Sequence, residues 1–141
     1  MTGIVEFLTA RLDEDEAAIK AMGVEGTGRW WVGQRFDGSL DPEGSTVFVD
    51  VRRSDGLGYI HLGTPGMFAG PTAIHVARHD PARVLAEVKA KRALLAQAAE
   101  MREVASATEA WSLNDYADGI ERNLAAPYAD HPDYDPAWRM T

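Results

Sequence analysis

The stretch "HVARHDPARVLAEVKAKR", His75 to Arg92, decides how this chain folds. It places His75 and His79 one helical turn apart, follows them with Asp80-Pro81, and then enters a long helical pattern. Two readings compete. If residues 72–79 are helical, both imidazoles lie on one face and could hold a metal ion, with Asp80 offering an oxygen. His61 and His131 could approach them in the folded chain. Alternatively, the junction is where a helix begins. Proline pushes the residue before it out of the α region, aspartate caps the amides of a first turn, and proline suits the first helical position. A capping carboxylate has no oxygen left for a cation, and Val76 stands where an H-E-x-x-H motif needs glutamate. The sequence therefore predicts no cofactor and no metal, with His75 and His79 as the remaining candidate ligands.

From Pro81 the pattern predicts a helix over residues 81–105, with Val84, Leu85, Val88 and Leu95 as an apolar stripe that Lys91 and Arg92 interrupt. Such a helix would reach ~37 Å. That overhang predicts packing against the C-terminal helix or another chain, including a homodimer through the 81–105 helix. A further helix is expected over residues 107–126, carrying Trp111, Leu113, Ile120 and Leu124. The segment "PYADHPDYDPAWRMT" then predicts an extended tail. Its Tyr128, Tyr134 and Trp138 imply a strap onto the body or onto a partner, and Tyr134 and Trp138 are the candidate anchors.

Upstream, residues 2–21 read as an amphipathic helix with Ile4, Leu8, Leu12 and Ile19 near helical spacing, and Thr2 as a possible cap. Its run Asp13–Glu16 is expected to be a solvated face. Only Asp13 and Glu16 could share a side. From Arg29 the period changes to two in "RWWVGQRF", "TVFVDVRR" and "GYIHL", separated by linkers rich in Gly, Asp and Pro. The expected fold is one α+β domain over residues 1–141. A small three-stranded antiparallel sheet is packed by the N-terminal helix and the long central helix, with a C-terminal helix and extended tail around them. The loop "GTPGMFAGP" lacks the Lys and Ser/Thr of a phosphate loop. Its Met67 and Phe68 are either core plugs or part of a docking patch.

Composition narrows the chemistry. The chain has 141 residues, is 45% hydrophobic, and contains no cysteine, which removes disulfides and thiolate catalysis. There is no G-x-S-x-G nucleophile elbow. A net charge of −8 disfavours direct nucleic-acid binding, which depends on cationic side chains. No apolar run approaches the ~20 residues of a membrane span, and no secretory signal pattern opens the sequence. The expected location is cytoplasmic.

Three segments carry a resemblance. "FLTARLDEDEAAI" at 7–19, "HVARHDPARVLAEVKAKRALL" at 75–95 and "YADHPDYDPAWRM" at 128–140 closely resemble a family of small actinobacterial and actinophage proteins, catalogued as a domain of unknown function. The resemblance covers both ends of the chain and leaves residues 23–70 unmatched. It implies an actinobacterial or phage origin, a cytoplasmic accessory role, and a tail that belongs to the fold. It implies no activity.

The expected function is that of a non-enzymatic accessory protein, phage or prophage encoded, which binds a host or phage protein through Tyr134, Trp138, Met67 and Phe68. The alternatives are a metal-dependent hydrolase using His75 and His79, and an acidic nucleic-acid mimic that inhibits a host protein.

Overall fold

The computed structural model describes residues 3–21, 29–33, 46–53, 56–61 and 70–139, with strand residues 49–53 and 56–61 described by backbone alone. Thr2, Met67 and Phe68 lie outside the described residues. The elements in chain order are α1 (Ile4–Ala21), β1 (Trp30–Val32), β2 (Val47–Arg53), β3 (Gly56–His61), α2 (Gly70–Arg78), α3 (Pro81–Thr108) and α4 (Ser112–Ala125). Two 3₁₀ turns, Ala126–Tyr128 and Pro136–Trp138, follow. The class is α+β, mostly helical with a small antiparallel sheet. The chain divides into two compact units: Met1–Glu16 with Glu87–Thr141, and Ala17–Ala86.

In the second unit, β2 and β3 form the long antiparallel pair, running from Phe48 opposite His61 to Arg53 opposite Gly56. The short β1 adds to the other edge of β2, with Trp31 opposite Phe48. Those two rings stack, their centroids 5.6 Å apart and their planes 15° from parallel. Cross-strand aromatic pairs of this kind help fix register. Gly33 lies close beside the stack: a Cβ there would come within 2.5 Å of the Phe48 ring, which would have to shift. The alternation of β1 follows the sequence: Trp30 and Val32 are half-buried and Trp31 is exposed.

The helix laid against β1 and β2 is α2. The apolar face of α1 is buried in the first unit, where Phe7 and Leu8 form a core with Ala125 and Tyr134. Ile4, Leu95, Leu124, Tyr128, Ala129 and Trp138 pack around it. The physical reason is area: the tail's aromatic rings offer Phe7 a large apolar surface. The tail, expected to be extended, is a series of turns docked on the helical unit.

Helix ends follow local chemistry. At the start of α1, the Glu6 carboxylate accepts from the Gly3 amide at 3.1 Å, half of a capping box. The α3 helix runs three residues beyond the expected Ala105 and ends where Glu109 adopts φ 59°, a left-handed conformation that glycine usually supplies.

Candidate functional site

At the histidine junction, Asp80 is the N-cap of α3. Its Oδ1 accepts from the Arg83 amide at 2.7 Å, and its Oδ2 accepts from the Trp30 amide at 3.4 Å. The Val84 amide donates to the Asp80 carbonyl at 3.0 Å. One carboxylate thus starts the long helix and ties it to β1. His75 lies on α2 and His79 in the turn after it; both are exposed. Their rings approach to 4.4 Å between centroids, and His79 Nδ1 donates to the His75 carbonyl at 2.8 Å. His131 belongs to the other unit, and the His61 side chain is not described. Among the described residues, no group of three or more His, Asp or Glu is placed to hold a metal ion.

The densest convergence of polar and aromatic side chains lies in the first unit. It joins residues from all three segments that carry the family resemblance. Phe7 of α1 is ringed by Tyr128, His131, Tyr134 and Trp138, with centroids 6.1, 5.6, 6.1 and 5.1 Å away. Arg11, one turn on, is buried and lies over the Phe7 ring at 5.3 Å. Its guanidinium donates to His131 Nδ1 at 2.9 Å, contacts Nε2 as well, and pairs with Glu14 at 2.6 Å. The Arg11 Nε finds no acceptor among the described residues. His131 Nδ1 also accepts from the Asp133 amide at 3.1 Å, which closes the tail turn.

The acidic run is solvent-exposed at Asp13 and Glu14, yet each of its carboxylates also meets a partner. Asp13 and Glu16 share Arg92 of α3, at 2.6 and 2.9 Å. Glu14 holds Arg11, and Asp15 accepts from the Tyr128 hydroxyl at 3.1 Å. Tyr128 ionises late: burial first, then the charge and hydrogen bond of Asp15, push it up to about 12. Lys91 completes the group, its ammonium 5.7 Å from the Tyr128 ring centroid. Lys91 and Arg92 therefore interrupt the apolar stripe of α3 because they face the tail and the acidic helix.

A second polar knot ties α3 to α4. Arg102 grips Glu121 through both carboxylate oxygens, at 2.5 and 2.9 Å, and reaches Asp118 at 2.6 Å. Glu121 is 2% exposed, and its hydrogen bond is the leading reason that Arg102 sits above its ordinary pKa. Two open clefts adjoin Trp138. One, of about 230 Å³, is lined by Ile4, Arg102, Asp118, Glu121 and Arg122; the other, of about 320 Å³, by Ala126, Ala129, Tyr134 and Arg139.

Of the expected anchors, Tyr134 is 8% exposed and Trp138 half-buried, both against Phe7. The large apolar side chains that do face outward are others. Trp111 is 62% exposed and Tyr116 66%, at the α3–α4 corner, with Val104 just before it at 49%. Trp111 and Leu113 both read as apolar helix positions in the sequence. Only the start of α4 at Ser112 separates an exposed Trp111 from a half-buried Leu113.

These features define an α+β protein whose helical unit is closed by an aromatic tail. The chain belongs to the family of unknown function DUF6221, whose model matches residues 1–140. No curated protein matches the chain, and no solved structure does. Among the described residues, no helix is long and apolar enough to cross a membrane.

Proposed function

We propose that this chain is a non-enzymatic interaction protein that docks a partner protein at the α3–α4 corner. The observation that carries this reading is the exposure of Trp111 and Tyr116, two aromatic side chains of the kind that dominate interface energies. The polar groups of the helical unit support it from the other side. Arg11, Arg92, Arg102 and the four carboxylates from Asp13 to Glu16 are spent on internal pairs, which leaves little for substrate chemistry. The actinobacterial or phage origin implied by the motif resemblance makes a host or phage protein the expected partner, met in the cytoplasm.

The burial of Tyr134 and Trp138 favours their role as a strap and moves the anchors to Trp111 and Tyr116. The hydrolase alternative has less support, because Asp80 is committed to capping. The nucleic-acid mimic has less support because Arg11 and Arg92 offset part of the charge of the acidic run.

The test is capture from an actinobacterial lysate by wild type and by Trp111→Ser/Tyr116→Ser, followed by calorimetry with the purified prey. A prey that binds wild type and loses at least roughly 10-fold in affinity to the double variant is expected. Equal binding by both chains, or no prey, overturns the reading.

A further inference from the structure

The docked tail builds a cleft of about 320 Å³. Ala126 and Ala129 contribute methyl groups to it, Tyr134 and Trp138 aromatic rings, and Arg139 a guanidinium. Turns pin the backbone of this lining. The Ala129 amide donates to the Ala126 carbonyl at 3.2 Å, Tyr134 to His131 at 2.9 Å, Trp138 to Asp135 at 3.0 Å, and Arg139 to Pro136 at 3.2 Å. The Asp135 carboxylate caps the last turn, accepting from the Ala137 amide at 2.9 Å. The rings are held as well: Tyr134 and Trp138 meet edge to face, 5.4 Å between centroids, and both pack on Phe7. The cleft is therefore formed by the fold before anything enters it, as ligand sites usually are.

The polar side chains of the lining are unengaged. Tyr134 is only 8% exposed, yet its hydroxyl has no hydrogen-bond partner among the described residues. It is not sealed in either: the unpartnered polar atoms cut off from solvent are Arg11 Nε and Trp30 Nε1. The hydroxyl thus reaches solvent, and the cleft is the solvent space that Tyr134 lines. A largely buried hydroxyl normally finds a partner, so an open one marks a place for a ligand atom. Arg139 is exposed and enters no ion pair among the described residues. In the other cleft beside Trp138, by contrast, Asp118 and Glu121 already hold Arg102. Among the described residues no carboxylate lines the first cleft, in a chain with 22 Asp and Glu against 14 Lys and Arg. The nearby acids are turned to other tasks, Asp135 to the Ala137 amide and Asp133 toward His131 at 3.9 Å.

These groups select a class of ligand. One guanidinium matches one carboxylate through two parallel hydrogen bonds, and the Tyr134 hydroxyl can donate to the same anion. A single cation balances a monoanion and leaves a phosphate dianion half neutralised. The methyl groups and rings suit an apolar body, and a volume near the lower bound of ligand sites admits one ring or one branched chain. We infer that the cleft binds a small monocarboxylic acid with a compact apolar body. The carboxylate meets Arg139 and Tyr134, and the body lies against Ala126, Ala129 and Trp138. Tyr134 and Trp138 also enclose Phe7, so an occupant fastens the tail to the helical unit and stabilises the folded chain. The site shares no residue with the α3–α4 corner and stands or falls independently of it.

Phenylacetate titrated into the full-length protein, followed by amide NMR, tests it. Saturable shifts at the Ala129, Tyr134 and Arg139 amides are expected, with a Kd of about 1 mM or tighter at neutral pH. Phenylacetamide keeps the ring without the charge, and acetate keeps the charge without the ring; each should bind at least roughly 10-fold more weakly. Arg139→Met should weaken phenylacetate roughly 10-fold, and Tyr134→Phe roughly 3-fold. Both variants should keep the wild-type circular dichroism, since Arg139 is exposed and phenylalanine retains the ring that packs on Phe7. A wild type without saturable shifts at these amides overturns the inference. So does binding that Arg139→Met leaves undiminished, or phenylacetamide or acetate binding as tightly as phenylacetate.

Discussion

The Tyr128 hydroxyl donates to the Asp15 carboxylate at 3.1 Å, joining the tail to the acidic run of the first helix across 113 positions of chain. Burial is the larger cause of its raised pKa of about 12, and the Asp15 charge adds to it. The folded chain therefore holds this proton more tightly than the unfolded chain, whose tyrosine titrates near 10.0. The resulting stabilisation is complete below pH 10 and is lost as pH rises from there through about 12. In a phenolate absorbance titration, the component removed by Tyr128→Phe should be the one titrating near pH 12. A missing component near pH 10 would contradict the bond.

The Arg102–Glu121 pair is asymmetric, with the Arg102 side chain 36% exposed and that of Glu121 only 3%. Removing the arginine strands a buried carboxylate, whereas removing the carboxylate leaves Arg102 with Asp118 and solvent. Arg102→Met should destabilise by about 3 kcal/mol, and Glu121→Gln by about 1 kcal/mol, in urea unfolding at neutral pH. Equal effects would mean that the carboxylate is not confined.

Glu109 turns the chain between α3 and α4 at φ 59°. A side chain there carries a steric penalty that glycine lacks. Glu109→Gly should raise stability by about 1 kcal/mol despite the added freedom of the unfolded chain, seen as a higher urea midpoint with an unchanged slope. Destabilisation would show that the glutamate side chain contributes more than its strain.

Asp80→Ala removes the cap of α3 and the acceptor for the Trp30 amide together. A loss of about 1–2 kcal/mol is expected, with faster hydrogen exchange at the Arg83 amide. Asp80→Asn should retain most of the protection, since its carbonyl still accepts. Equal exchange in wild type and Asp80→Ala would remove Asp80 as the helix-starting group.

Local signals are the legible part of this chain. Asp80-Pro81 announces α3 because capping depends on one residue and its three successors. The alternation in "RWWV" and "TVFV" announces strands for the same reason. That Asp13 and Glu16 share a face follows from helical spacing, and Arg92 meets both. What the sequence does not show is which surface each face meets. The apolar side of α1 fits a sheet or an aromatic tail equally well by periodicity, and only the competition between those surfaces decides. The same gap hides Arg11. A cation between Phe7, Leu8 and Leu12 departs from the apolar pattern, yet its partner His131 lies 120 positions away. The end of α3 is hard to place because Glu109 stands where a helix stop is normally signalled by glycine.

The enclosure of Phe7 by Tyr128, Tyr134 and Trp138 also bears on how the protein is born. At translation rates of about 5–20 residues per second, α1 leaves the ribosome several seconds or more before those rings are synthesised. Throughout that interval Phe7 and Leu8 have no lasting shelter and are open to chaperones. Release of the last rings is then the event that lets the helical unit close.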